Sequence, residues 1–544
     1  MRALGFSVAL AVAATACGGG QSTSSTLSSS WKAPAILRHV PADSPYLFAS
    51  LEPISDALRE RMTRGLDRRL AELSAKLEQL RDAPGDHGRA VRAALALRDE
   101  LRGQSAASWY RALGFDPAGQ FVMYGLGVWP VARVGVSDPA RLRAVIQKVS
   151  QAAGATLQES KYEGRAYWSA GTDKVSIVAA VLDREAVIAV LPTAALPANL
   201  PYVLGTKTPA ASLATAPVVP ELLGRHHLLG FVAAYFDLHR IADLLTSPTA
   251  GPLDDLIHAA LGPVSPVCRS EWLRVADVSP RIAFGYRRLD DRGFAGSVIF
   301  ETPASVTQPL GKLRTAAAGV TAEAPEHALF TVAAAVVPED VQAWLGGVAK
   351  ELRARPFACP QLAELNKAAE ELARGAAGPL PEPLRALRGF AAVLDDAKVM
   401  PPAVDGYVVL TGAPGKDAMS ALAGAMPFLS SLGLTANGKA VELPLGQLGL
   451  PIAAAHIAAT SERLAIAAGP QSARRAEAQI AAPLPARSPL FRMSFDAPRL
   501  GALLASIGKT GAEGLEGLGD VDLVVDVAAD GVVLDIEGTW PASK

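Results

Sequence analysis

Leu229-Gly230-Phe231-Val232-Ala233-Ala234-Tyr235-Phe236-Asp237-Leu238-His239-Arg240-Ile241-Ala242-Asp243-Leu244-Leu245 decides the fold, because its pattern occurs a second time. An apolar strand from Leu229 to Tyr235 ends at an aspartate, and a helix follows. Leu490 to Ser494 is the second such strand. There Phe495-Asp496-Ala497-Pro498-Arg499 leads into Leu503-Leu504 at the spacing that separates Phe236 from Leu244-Leu245. Aspartate at such a junction suits a helix N-cap, where its carboxylate accepts a backbone N–H of the first turn. Asp237 and Asp496 are therefore read as caps before any chemical role is considered.

Three more pairs accompany this one. Arg292-Gly293 begins a strand ending at Thr302-Pro303, and Asp530-Gly531 begins one ending at Trp540-Pro541. Val175 to Leu182, a turn, and Ala186 to Val190 match Ala453 to Thr460, a turn, and Leu464 to Ala468 without a gap. Pro45-Tyr46-Leu47-Phe48 and its helix match Ala328-Leu329-Phe330-Thr331 and its helix. The four pairs keep their order, which points to an internal duplication. The expected organisation is a unit over 33–303, a linker over 304–323 and a second unit over 324–544.

Inside each unit, strands come in runs with helices between them. Leu58, Met62, Leu66, Leu70, Leu73, Leu77 and Leu80 recur every three or four residues, the period of an amphipathic helix. Ala83-Pro84-Gly85 breaks it, and Val91, Leu95 and Leu101 mark a second helix. This helical hairpin, about 54–103, is expected to be the largest difference between the units. The second unit carries a Pro-rich stretch from Glu351 to Arg388 in its place. Phe121 to Val128 and Val131 to Val136 read as strands, and Asp138-Pro139 as an N-cap and first helical position. The second unit repeats this as a strand Tyr407 to Thr411 and a helix Lys416 to Ala425. The fold class is α+β: two duplicated units with largely antiparallel sheets and packed helices.

Outside the units, Arg2 and the apolar run Ala3 to Ala13 form a short secretory signal over 1–16, too short to span a bilayer as a mature helix. Ala14-Thr15-Ala16-Cys17 resembles the lipobox of bacterial lipoproteins, which implies that Cys17 becomes the lipidated N-terminus. Gly18 after that cysteine is compatible with sorting to the outer membrane. The Gly/Ser/Thr tract from Gly18 to Ser30 has nothing to bury and reads as a flexible tether over 17–32. Its reach is about 20 Å at about 5–6 Å times the square root of its length. Val40-Pro41-Ala42-Asp43-Ser44-Pro45-Tyr46, Ser137-Asp138-Pro139 and Tyr162-Glu163-Gly164 are similar to segments of a broad group of exported bacterial envelope proteins of unknown function. That resemblance implies an envelope location and an α+β fold, and it carries no activity.

Charge and composition exclude several classes. Lys plus Arg is 52 against 53 for Asp plus Glu, which leaves no electrostatic footprint for nucleic acid and no polybasic membrane patch. With lipidation of Cys17, Cys268 and Cys359 remain as an even pair in an oxidising compartment, a candidate disulfide across the boundary. Two separately buried thiols are the alternative. Neither cysteine has ligand-spaced partners for a metal. His226-His227 reads as two polar residues at a strand start. Gly508-Lys509-Thr510 lacks the upstream glycine of a phosphate loop, and Leu503 stands in its place. Asp254-Asp255, Asp290-Asp291 and Asp395-Asp396 lack the spacing of a calcium loop. No catalytic residue, metal or cofactor is expected. The sequence favours a non-enzymatic, lipid-anchored scaffold or binding module facing the periplasm, with an envelope protein as partner. The alternatives are a carrier or sensor of an apolar ligand such as lipid, and a hydrolase without a recognisable motif.

Overall fold

Asp237 and Asp496 stand where strand turns into helix, and each caps the helix that follows. Asp237 accepts the Arg240 N–H at 2.7 Å before the helix Leu238–Thr246. Asp496 accepts the Arg499 N–H at 2.9 Å before the helix Ala497–Ser506. Each such cap contributes about 1 kcal/mol. Asp138 does the same for Pro139–Ala152, accepting from the Arg141 N–H at 2.9 Å with Pro139 in the first turn.

The structure is a computed structural model. It describes all residues except 1–31, 54, 64–65, 156, 248–250, 252, 263, 322–324, 326–327, 400–402, 413–431, 445–453, 509–514, 516 and 542–544, and omits the side chains of 66–69 and 86. The signal, Cys17, the tether up to residue 31, all of Lys416 to Ala425, and Lys509-Thr510 therefore lie outside the described residues. The chain divides into two compact units, Met1–Gly296 and Ser297–Lys544.

The first unit contains β1 (Tyr46–Ser50), β2 (Phe121–Leu126), β3 (Trp129–Gly135), β4 (Gln158–Tyr162), β5 (Arg165–Gly171), β6 (Val175–Val181), β7 (Glu185–Pro192), β8 (Ala233–Asp237) and β9 (Arg281–Leu289). They pair antiparallel in the order β4-β5-β6-β7-β3-β2-β1-β8-β9. β10 (Gly293–Glu301) spans the division between the units. Asp290 supports the preceding turn by accepting from the Arg292 and Gly293 N–H groups at 2.9 and 3.0 Å.

The second unit contains β11 (Phe330–Ala335), β12 (Leu387–Lys398), β13 (Ala403–Gly412), β14 (Val441–Glu442), β15 (Ala455–Ala459), β16 (Arg463–Ala468), β17 (Phe491–Asp496), β18 (Asp520–Ala528) and β19 (Gly531–Thr539). They pair antiparallel in the order β14-β15-β16-β13-β12-β11-β17-β18-β19. The run β5-β6-β7-β3-β2-β1-β8-β9 of the first unit recurs as β14-β15-β16-β13-β12-β11-β17-β18; β4 has no counterpart among the described strands of the second unit, and β19 extends the second sheet beyond β18. The α+β class with antiparallel sheets is thus present in each unit.

Three expectations need correction. The first concerns register. Tyr46 faces Phe236, and Phe330 faces Phe495, so Phe330 takes the place of Tyr46 rather than of Leu47. Burial agrees: Leu47 and Thr331 are buried, whereas Tyr46 and Phe330 are half-buried. A slip of one residue would have turned each side chain to the opposite face.

The second concerns the helical hairpin. In the first unit the helices Asp56–Met62, Leu66–Gln79 and Gly85–Glu100 follow β1, and the last two pack together. In the second unit Pro338–Ala354 and Ala363–Ala377 follow β11 and also pack together. The prolines punctuate this pair instead of breaking it. Pro338 opens one helix, and Pro356, Pro360, Pro379 and Pro381 lie between or after the two. Proline is tolerated in the first turn because its missing N–H would have no helical partner there.

The third concerns 304–323, which is not a bare linker. It holds the helix Ala304–Lys312, and Ala317, Ala318 and Val320 are fully buried in a core of the second unit. Their backbone is bonded there too: Ala317 N–H donates to Ser488 Oγ at 3.2 Å and Ala318 N–H to Thr411 Oγ1 at 2.8 Å.

In the first unit's sheet, both faces are apolar. One register row carries Phe284, Ala234, Phe48, Met123, Ala132, Ile188 and Ala179 across β9, β8, β1, β2, β3, β7 and β6. The opposite face carries Tyr235, Leu47, Tyr124, Val131, Ala189 and Val178, all buried. The helix Leu196–Leu204 packs on β7. The helix Pro139–Ala152 closes one corner of the sheet, where Leu142 joins Val136, Trp168 and Val181.

Candidate functional site

Arg133 sits in the middle of β3, between Val122 of β2 and Val187 of β7, with its side chain fully buried. Such a position normally takes an aliphatic residue. The corresponding residue of the second unit, found by tracing the same pairings from β11 to β13, is the fully buried Val409 between Ala391 and Ala465. A charge there must be paired and hydrogen-bonded to be tolerated. Arg133 Nη1 donates to Glu185 Oε2 at 2.9 Å, and Nη2 donates to the carbonyls of Tyr202 and Val203 at 2.8 and 2.7 Å. Nε lies 3.5 Å from the Tyr124 hydroxyl, whose pKa burial pushes upward. Arg165 donates to the next carbonyl, Leu204. Two arginines thus close the negative end of the helix Leu196–Leu204. Gly205 ends that helix at φ +70°, where a Cβ would stand 2.9 Å from His39 Cε1.

His39 is the third member of this cluster. Its Nε2 accepts from Arg38 Nε at 3.0 Å and lies 3.7 Å from Glu185 Oε1. Burial, with Arg133, Arg38 and Arg165 adding to it, pulls the imidazole from 6.5 to about 3. The ring is therefore neutral near pH 7, and its approach to Glu185 is not an ion pair there. The consequence for stability has a definite sign. Between pH 6.5 and 3 the unfolded chain takes up a proton that the folded chain refuses, so stability falls with pH by up to about 1.4 kcal/mol per unit. From pH 7 to pH 5 this group is expected to remove about 2 kcal/mol. Urea unfolding at several pH values checks this, and His39→Gln should flatten the dependence in that window.

Above the cluster lies a cleft of about 400 Å³ lined by His39, Tyr124, Asn199, Tyr202 and the segments 41–43 and 209–211. Ala42 N–H donates to Ala211 O at 3.0 Å and Leu213 N–H to Val40 O at 2.9 Å, which holds these two segments together. Asp43 at the rim pairs with Arg240 at 3.0 Å. Asn199 is tied by its Nδ2 to Ala195 O at 2.8 Å. An imidazole with a pKa of about 3 is a poor base at neutral pH, where efficient proton transfer needs a pKa near the working pH.

The segment 41–43 belongs to the stretch Val40 to Tyr46 singled out above, but no motif marked Arg133, Glu185, His39 or Arg165. The legible signal was parity: Arg133 occupies an inward position in the alternating strand Val131 to Val136. The residues that were singled out are placed as follows. Cys268 lies in the first turn of the helix Pro266–Ala276 and is 7% exposed; Cys359 precedes a short 3-10 turn and is 1% exposed. His226 ends the helix Val218–His226, and His227 caps it at φ +53°, so the pair does not start a strand. The buried Val219, Leu222 and Leu223 give that segment a helical face, which carries the helix to the histidines. Asp254 precedes the helix Asp255–Leu261. Asp395 pairs with Arg475 at 2.9 Å at an irregularity in β12. Among the described residues no cluster of His, Cys, Asp or Glu is placed to hold a metal, and no helix is long and apolar enough to cross a membrane. No family model, curated protein or solved structure matches the chain.

Proposed function

We propose that this chain is a non-enzymatic, lipid-anchored protein of the cell envelope, held at the outer membrane through Cys17 and presented to the periplasm as a binding module. One observation carries the anchor. A short apolar run, three small residues, Cys17 and a Gly/Ser/Thr tract coincide at the N-terminus. The binding role is supported by the first unit's sheet, which keeps Ile177, Ile188 and Phe236 exposed on an apolar face. Contiguous apolar surface of this kind is uncommon unless something covers it. The hydrolase alternative has less support, because Arg133 is committed to a helix end and to Glu185, and His39 is a weak base.

We further propose that the units arose by tandem duplication, which their shared strand order supports, and that Cys268 and Cys359 form a disulfide. Crosslinking in native envelopes, followed by mass spectrometry of co-purified proteins and lipids, tests the function. The expected result is a membrane-bound protein with a reproducible crosslinked species. Recovery from the soluble fraction with no crosslinked species would contradict it.

A further inference from the structure

We propose that the exposed apolar row of the first unit's sheet is a docking surface for a lipid acyl chain. Strands β6 and β7 read Val-Ser-Ile-Val-Ala-Ala-Val and Glu-Ala-Val-Ile-Ala-Val-Leu-Pro, apolar at nearly every position. Antiparallel strands that leave one face to water normally alternate apolar and polar residues, and near-continuous apolar runs belong to strands covered on both sides. Here one face is buried by the protein's own helices, and the other is covered by the helix Pro139–Ala152 only at the corner of Val181, Ala179 and Ala186. On the other, Ile177 is 43% exposed, Ile188 42% and Phe236 48%. Ile177 and Ile188 are diagonal neighbours on β6 and β7, since Ile177 faces Val190 and Ile188 faces Ala179. Phe236 stacks on Tyr46 with ring centroids 6.0 Å apart. Phe48, Met123 and Ala132 join these two ends in register, and no charged side chain interrupts that row.

The occupant follows from chemistry and reach. A row without a charge or a directed donor offers a polar peptide nothing to pair with, whereas an acyl chain asks only for apolar contact. From β6 to β8 the row crosses five strand spacings, about 24 Å at about 4.8 Å each. One leaflet of hydrocarbon is about 15 Å deep, half of a core of about 30 Å. On the anchored reading, a coil of the length between Cys17 and the first described residue, Lys32, would span about 20 Å. Acyl chains are then the most concentrated apolar partner within range. This step rests on the anchored reading above.

The test uses the full chain in its own membrane. Cells are fed a fatty acid carrying a diazirine and an alkyne and are then irradiated, and the tagged peptides of the purified protein are mapped. Ultraviolet-dependent adducts are expected on peptides covering 165–192 and 230–240. The double variant Ile177→Ser, Ile188→Ser should lower those adducts several-fold and leave the lipid on Cys17 unchanged. Because both side chains are over 40% exposed, these substitutions leave the core intact. Should the variant fail to accumulate, the adduct map of the unaltered protein decides alone. Adducts confined to the Cys17 peptide overturn the proposal and leave the anchor standing. A crosslink from the row to another protein, or to the Cys17 peptide itself, also overturns it, by assigning the row to a protein partner or to the anchor's own chains. An unlipidated Cys17 with adducts on the row would refute the anchor alone.

Discussion

Arg133→Ala is expected to lower the unfolding free energy of the first unit by about 3–5 kcal/mol, the usual cost of removing one partner from a buried ionic network. The substitution removes one of the largest fully buried side chains among the described residues, so it opens a cavity between Val122 and Val187. It also strands the Val203 carbonyl, leaves the Tyr202 carbonyl with the Gly205 N–H at 3.2 Å, and leaves Glu185 beside a low-dielectric wall. Each unsatisfied buried carbonyl costs about 1–3 kcal/mol. Arg133→Met should cost less, because it keeps most of the volume and loses only the bonds. Urea unfolding, with hydrogen exchange followed in β3 and β7, reads both effects. A loss below about 1 kcal/mol would mean that the network does not hold the helix Leu196–Leu204 in place, since surface substitutions stay within about 0.5 kcal/mol.

The proposed Cys268–Cys359 disulfide carries the second large effect. It would close a loop of about ninety residues, for which chain-entropy reasoning gives about 4–5 kcal/mol before any native strain. Cys268→Ser with Cys359→Ser, or exposure to reductant, is expected to lower stability by up to that amount. Peptide mapping without reductant should recover the two cysteines in one crosslinked fragment. Free thiols at both positions in protein taken from the envelope would remove the bond and its stabilisation together.

The sequence disclosed most where a residue type has one physical job. Asp237, Asp496 and Asp138 were legible as caps because a carboxylate at a strand-to-helix junction has orphan N–H groups to satisfy. Val187 and Ala465, which the match of Val175 to Val190 with Ala453 to Ala468 sets against each other, occupy corresponding places on β7 and β16. Errors came where local sequence permits two answers. Pro-Tyr-Leu-Phe and Ala-Leu-Phe-Thr hold nothing that fixes their register, and the strand pairings together with the burial of Leu47 and Thr331 set it. The Pro-rich stretch from Glu351 to Arg388 reads as a replacement for the helical hairpin, although proline can open or separate helices as it does at Pro338 and Pro360. The polar cluster was hidden for another reason. Arg133, Glu185 and His39 are far apart in sequence, and no motif joins them; their meeting follows from strand order.

The anchor is the central claim, and incorporation of labelled palmitate in the natural host tests it most directly. The unaltered chain is expected to carry the label and to sediment with membranes. Cys17→Ser should carry no label and leave the membrane fraction. Equal labelling and equal membrane association in the two proteins would contradict the account.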